Sequence, residues 1–391
     1  MFARIYILCS PMTAWFAFGS WLRLSVLSLM ALSFVALWRM VVDRRFRLNT
    51  DVAILCFFLL AMFFSSVINV NEFNHKSLNH LFAMAFIVVF MYAIPRVYLQ
   101  NIVVDGGVDH LGMSFVYSFT LLASLIFLDF IAKNVFSVEL ADFFVFADVA
   151  NGNYFSIASL YSVAGPTEEP ANAAYFLSLM YMASILYYRY RTSVIPPKLT
   201  ILYVCSLAST MSSAGIVVGG LILLLLLTYS TKGLAKKLIL FLVVITMMLL
   251  FSESLFSILG DIGFMDKISL SSANASAGSR MYSWELFINS FLNSPMFGAA
   301  PGYNNILIDT GVHSSFFTIL LNYGFFSGVI FLAFLVYVYN ALKQKNGLAS
   351  NFFLIALIPH LIADYYFSSV FWLFIVWLMI VGCKERVHCE S

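Results

Sequence analysis

The chain is short of charge. Asp, Glu, Lys and Arg make up only 10% of its 391 residues, against about 25% in ordinary soluble domains, too few to clothe a water-facing surface of this size. Cysteine is also scarce: Cys9, Cys56, Cys205, Cys383 and Cys389 fall in apolar runs or in the C-terminal tail, which leaves no disulfide framework for the loops. No G-x-x-x-x-G-K-[ST] phosphate loop occurs, and the basic connections are too short for a nucleotide-binding domain. No D-x-D or H-x-x-x-H pair stands in the polar loops, so no metal and no other cofactor is expected. Runs such as 221–227 do not alternate polar with apolar, which excludes a β-barrel. Nothing points to nucleic acid, and the net charge of +2 selects no partner.

What the chain has is hydrophobic residues, 62% of the total, in runs long enough to cross a hydrocarbon layer of about 30 Å as helices. An all-α polytopic membrane protein is therefore predicted, a single multi-span domain over 1–391. Spans are expected near 5–20, 22–42, 52–70, 79–94, 111–131, 171–188, 199–213, 215–230, 237–256, 315–340, 350–366 and 369–383. The first also fits a signal anchor or signal peptide, since Arg4 precedes a short apolar run. Twelve helices put both termini on one face, and that face collects most of the basic residues. Only Arg23, Lys76, Lys133, Lys267 and Arg280 of the 21 Lys and Arg fall on the other. The positive-inside rule makes the rich face cytoplasmic.

Two outer connections are long, 132–170 and 257–313, a length that is usually functional or disordered. The basic connections are short, the longest being about 95–110. In the second outer loop, 269–279 is rich in Ser, Ala, Asn and Gly and reads as flexible. Met281, Trp284, Phe287, Ile288 and Phe291 then repeat at helical spacing up to Pro295, predicting an amphipathic helix in the membrane interface with Arg280 at its start. Between the seventh and eighth spans, Thr210-Met-Ser-Ser-Ala-Gly215 reads as a turn held below the outer surface, where non-helical backbone needs protein or a water-filled cavity around it.

Several polar residues are candidates for chemistry. The Arg280 guanidinium either binds a phosphate bidentately or anchors its helix to lipid headgroups. His313 stands just before a span as a general base or as a satisfied helix-start residue. In Gly165-Pro-Thr-Glu-Glu-Pro170, Thr167 and the acidic pair make a good helix start. One of Glu168 and Glu169 is then left to act as base or to orient a sugar hydroxyl. His360 and Asp364 are four apart and so are expected on one helix face, either lining a site or paired internally, and Asp129 stands near the outer end of its span.

The order of these features resembles the Wzy-type O-antigen polymerases and the related O-antigen ligases. The resemblance rests on Glu169-Pro170 before a middle span, the Thr210-to-Gly215 break, Arg280, Ser294-Pro-Met-Phe-Gly298 with Pro301-Gly302, His313-Ser314, and Gly324-Phe-Phe-Ser-Gly328. It is strongest over about 165–330. Such proteins are multi-span glycosyltransferases of the bacterial inner membrane. They join oligosaccharides linked to polyprenyl (undecaprenyl) diphosphate on the outer side during lipopolysaccharide and other polysaccharide biosynthesis, without nucleotide sugars. The resemblance implies Arg280, His313, Glu168 and Glu169 as catalytic residues. It implies Asn172, Ser212, Ser213, Lys267 and Tyr303 along the substrate path, and a chain-length regulator and a flippase as partners besides the lipid-linked glycan and membrane lipids. Ligases carry an arginine in the T-x-S-R break, where this chain has Ser213, so the polymerase is expected ahead of the ligase. A transporter or flippase of lipid-linked sugars, with Asp129, His360 and Asp364 in its pathway, is the alternative of another class.

Overall fold

The structure is a computed structural model that describes residues 1–17, 22–43, 49–72, 75–144, 156–157, 160–192, 194–230, 275–302 and 314–381. The described residues are almost entirely helical. The helices are α1 (Phe2–Cys9), α2 (Leu24–Val42), α3 (Thr50–Ile68), α4 (His75–Phe86), α5 (Ile94–Val104), α6 (Val108–Phe136) and α7 (Pro170–Arg191). They continue as α8 (Pro197–Thr210), α9 (Ser213–Ser230), α10 (Ala275–Asn293), α11 (Ser315–Lys345), α12 (Gly347–Leu357) and α13 (Ser369–Val381). The only strands among the described residues are β1 (Ser156–Ile157) and β2 (Leu160–Tyr161), an antiparallel pair of two residues each.

Among the described residues, five helical segments are long and apolar enough to cross a membrane: Leu24–Val42, Thr50–Ile68, Lys76–Val104, Val108–Phe136 and Ser315–Lys345. Shorter apolar helices pack with them, and large apolar side chains such as Phe34, Trp38, Phe57 and Phe63 stand on the bundle's outside. An exposed apolar coat over a packed interior is what a lipid solvent selects, so the chain is a helical membrane protein.

At the centre lie α7 and α13. Every residue from Ala173 to Tyr187 is buried, as is every residue of α13, and a helix apolar all round belongs inside a bundle. Trp377 of α13 donates its indole N–H to the Ala183 carbonyl (3.2 Å) and packs its ring on Phe115 of α6.

The helix ends sort into two groups. At the first end, Asn49 donates to Gln100 (3.0 Å), Arg191 faces Asp109 (3.8 Å) and Asn351 donates to Tyr229 (3.3 Å). The described residues Arg39, Arg96, Arg189, Arg191, Lys198, Lys343 and Lys345 all belong to helix segments that run to this end, so it is the basic one. The opposite end carries the starts of α4, α7 and α11 and the loops around them.

Several boundaries differ from the sequence expectation. The first apolar run is helical only to Cys9, after which 10–17 runs non-helically and its backbone N–H groups at Thr13 and Ala14 bond the Pro166 carbonyl. The fourth span does not stop near residue 94. A π-helical stretch, Ile87–Ala93, joins α4 to α5 in one rod, leaving a turn of only 105–107 where a longer connection was expected. Helix α6 likewise reaches Phe136, so the loop expected from 132 starts later. Residues 275–279, expected to be flexible, are the first turns of α10. The predicted α8–α9 hairpin is present, its turn made by Met211 in the left-handed region (φ 47°). The expected span 237–256 lies outside the described residues.

The π-helical stretch sets up a buried ion pair near the basic end. Tyr92 donates to Asp51 Oδ2 (2.5 Å), Arg96 Nε donates to the same oxygen (2.9 Å), and Arg96 Nη1 reaches Gln100 (2.7 Å). Asp51 and Arg96 are 1% and 4% exposed, so removing one partner strands a charge away from water. Asp51→Ala is therefore expected to lower stability by about 3–5 kcal/mol. Denaturation of detergent-solubilised protein measures this, and a change below ~1 kcal/mol would show that Arg96 finds another partner.

Candidate functional site

The end opposite the basic one holds two clusters of polar side chains. Its first cluster forms where the chain enters α7. Pro170 occupies the first turn of α7, where its missing N–H costs nothing. The N-cap residue is Glu169 rather than the expected Thr167, and no side chain caps the helix there; Thr167 instead donates its hydroxyl to the carbonyls of Ala164 and Glu169 (3.0 Å each). The two carboxylates have different surroundings. Glu168 is half-buried and accepts from Thr13 Oγ1 (2.7 Å) and Asn172 Nδ2 (3.3 Å) on one oxygen, while the Arg23 guanidinium pairs with the other. Glu169 is exposed. Behind them, Asp129 of α6 accepts the Gly165 N–H (3.1 Å) and so pins the segment to the bundle.

The Ser212 turn lies against this helix start. A side chain added at Gly215 would come within 2.6 Å of Ala174 Cβ, so α9 begins in close contact with α7 two residues after Asn172. Ser212 accepts the Gly215 N–H (3.3 Å) and caps α9, a structural use of a hydroxyl that the sequence assigned to the sugar path.

The second cluster is fixed by a kink in α11. Gly324 has φ 73° and ψ −177°, a conformation essentially restricted to glycine. The kink opens the helix's own hydrogen bonding, and the Pro295–Ala299 segment completes it. Phe325 N–H donates to the Pro295 carbonyl (2.8 Å), Phe326 N–H to the Met296 carbonyl (3.2 Å) and Ala299 N–H to the Leu321 carbonyl (2.8 Å). On the far side, Ser65 of α3 and Asn69, which caps that helix, donate to the Phe297 carbonyl. Ser294-Pro-Met-Phe-Gly298 and Gly324-Phe-Phe-Ser-Gly328, noted separately in the sequence, are thus two halves of one joint. Helix α10 leads into the joint and stacks Phe287 on Phe317 of α11 (4.4 Å). Its predicted apolar stripe only partly packs, since Met281 and Ile288 are each 54% exposed.

Three sets of buried polar contacts lie between the kink and α7. His80 of α4 meets Tyr323 at Nδ1 (2.5 Å), Tyr366 at Nε2 (3.2 Å) and the Asn322 amide at Nε2 (3.4 Å). Thr318 donates to Asp364 (3.0 Å). His360 meets Ser315 at Nδ1 and Tyr175 at Nε2, both at 3.0 Å. The same two hydroxyls also reach backbone, Ser315 the Ala363 carbonyl and Tyr175 the Ala356 carbonyl (3.0 Å each), so both ring nitrogens of His360 are held in place. His360 and Asp364 do not share a helix face as expected. Helix α12 ends at Leu357, a 3-10 turn carries His360, and the chain is irregular by Asp364. Both residues bind the start of α11, so they form an internal anchor rather than an open row.

The sequence missed Arg23, Thr13 and His80. Arg23 stands far in sequence from Glu168, and only the folded structure sets its guanidinium against that carboxylate. His80 had a signal, an ionisable residue near the start of an apolar run, but nothing identified the two tyrosines that receive it. Lys267, Tyr303 and His313 lie outside the described residues, as does the Arg280 side chain on α10. Ser213 and Asn172 are both half-buried near the α7 start. Among the described residues no three His, Cys, Asp or Glu side chains converge as metal ligands would. No protein-family model matches this chain, and no curated protein matches it in sequence.

Proposed function

We propose that the chain is a glycosyltransferase that joins polyprenyl-diphosphate-linked oligosaccharide repeats into a surface polysaccharide on the outer side of the bacterial cytoplasmic membrane. In this reading it spans the membrane twelve times with both termini and the basic end in the cytoplasm. The supporting observation is the joint between Ser294–Gly298 and the Gly324 kink. Two motifs that give the polymerase resemblance its order are hydrogen-bonded to one another at the end of the bundle that carries the acidic start of α7.

The chemistry asks little of the protein. A hydroxyl of the acceptor repeat attacks the anomeric carbon of the donor glycan. The carbon–oxygen bond to the lipid diphosphate breaks, the diphosphate leaves with the electron pair, and the hydroxyl proton passes to a base. Arg280 steadies the departing charge, with Lys267 assisting. The base is His313 or Glu169. Glu168, whose oxygens are taken by Arg23, Thr13 and Asn172, holds the start of α7 in place instead. Asn172, Tyr303 and the Ser212-Ser213 turn line the sugar path. Confining two lipid-anchored substrates in one cavity turns their encounter into a near-intramolecular reaction.

Cells lacking the chain test this. They are expected to display lipopolysaccharide with at most one repeat on its core. Core with no repeat at all would indicate a ligase, and an unchanged ladder would remove the polymerase reading.

A further inference from the structure

We propose that the basic end of the bundle carries a binding site for a phospholipid with a zwitterionic, primary-amine headgroup, phosphoethanolamine in its chemistry. The site is an open cleft between the C-terminal ends of α2 and α5, and it is independent of the sugar chemistry at the other end. The cleft measures about 330 Å³, within the range of small-ligand sites, and its walls are two helices that pack on one another. Arg39 and Asp43 line it from α2, which Asp43 caps. Tyr98, Asn101 and Asp105 line it from α5, which Asp105 caps. Met40 and Ile102 supply the apolar part of the lining.

Three features point to what fills it. The lining carries both signs of charge. Arg39 and Asp43 stand one helical turn apart, yet neither side chain forms an ion pair or a hydrogen bond among the described residues. A phosphate on the guanidinium and an ammonium on the carboxylate satisfy both at once. Asp105 adds a second carboxylate on the facing wall, and the carbonyl ends of two helices add negative potential. An anion alone is therefore disfavoured, whereas an ammonium gains from each. The second feature is Tyr98, which is 8% exposed and whose hydroxyl has no hydrogen-bond partner among the described residues. Buried phenols normally have one, so Tyr98 brings an unmet donor to the wall of the cleft for a phosphate oxygen. The third is the rim. Trp38, Val42 and Val104, each next in sequence to a charged lining residue, are all exposed. Tryptophan beside arginine at the end of a span marks the membrane–water interface, which is the depth of a headgroup. Free phosphoethanolamine would satisfy the charges but leave this apolar rim bare.

The test uses full-length protein in mild detergent, with bound lipid counted by native mass spectrometry after adding phosphatidylethanolamine, phosphatidylglycerol or phosphatidylcholine in turn. Phosphatidylethanolamine is expected to bind about tenfold more tightly than the others, because the glycerol headgroup lacks the cation and the trimethylated one lacks N–H donors. Arg39→Gln and Asp43→Asn are each expected to weaken it about tenfold, the loss of a charge-assisted hydrogen bond, and Tyr98→Phe about threefold, the loss of a neutral one. Arg39 and Asp43 are exposed and Tyr98→Phe removes one atom, so all three variants are expected to melt as wild type does without added lipid. Lys343→Gln, at the same end but outside the cleft, is expected to bind as wild type does. Equal binding of the three lipids, an equal loss in Lys343→Gln, or full binding in both Arg39→Gln and Asp43→Asn overturns the proposal. Displacement of the lipid by soluble phosphoethanolamine at equal concentration overturns the assignment to a lipid. No arm reads glycan elongation, so failure of the polymerase reading leaves the result intact.

Discussion

Arg280→Ala is expected to reduce glycan elongation by on the order of 100- to 1,000-fold while the protein inserts in normal amount, the loss found when a donor to developing negative charge is removed. The reasons are chemical. In the proposed reaction both substrates carry the same lipid diphosphate, its charge is concentrated as the glycosyl bond breaks, and a guanidinium stays protonated and offers a planar fork to phosphate oxygens. Helix α10 carries Arg280 and runs into the Pro295–Ala299 joint, so the residue rides on an element fixed to the membrane helices. A headgroup anchor is the competing role, and lysine separates the two. Arg280→Lys keeps a cation for lipid phosphates but not the fork, and is expected to insert normally while elongation stays at least tenfold low. Preserved glycan ladders in Arg280→Ala would reject the assignment.

The second large effect concerns the fold. Gly324→Ala is expected to destabilise the protein by on the order of 4 kcal/mol, enough to deplete it from the membrane. Two costs add. The backbone at Gly324 (φ 73°, ψ −177°) lies where a side chain costs about 1–3 kcal/mol. A Cβ there would also stand 2.3 Å from the Met296 carbonyl and 2.4 Å from the Gly298 nitrogen, an overlap that costs a further ~1–3 kcal/mol as the joint opens. Gly328→Ala, on the same helix, meets only the flexible end of Leu320 at 2.6 Å and is expected to be tolerated within ~1.5 kcal/mol. Membrane levels and detergent melting of the pair measure the contrast; equal levels would mean that α11 straightens without penalty.

The lipid-facing helices were legible because hydrophobic length is a local property. The α8–α9 hairpin was legible too, because Thr210–Gly215 breaks an apolar run and because one continuous span would have placed Lys232, Lys236 and Lys237 on the sparsely charged face. The boundaries that misled involve residues whose preference is overridden by packing. Arg96 and Gln100 look like the start of a loop, yet they stay helical because Asp51 across the bundle satisfies the guanidinium. His360 and Asp364 have helical spacing, but each is drawn to a hydroxyl at the start of α11, and the helix gives way between them. The start of α7 was visible as residue types, Glu168, Glu169 and Asn172, in order. Its wiring was not, since Glu168 differs from Glu169 only through Arg23, Thr13 and Asn172, and no spacing rule links residues 13, 23 and 168.

In the proposed reaction the chain itself builds glycan from lipid-linked repeats without a nucleotide sugar. Its most direct measurement is the product of purified protein in liposomes supplied with repeats already in the outer leaflet. A ladder of chains two or more repeats long, with release of free lipid diphosphate, is the expected result. Single repeats that are unchanged, or merely moved to the other leaflet, would contradict the account and leave a transporter in its place.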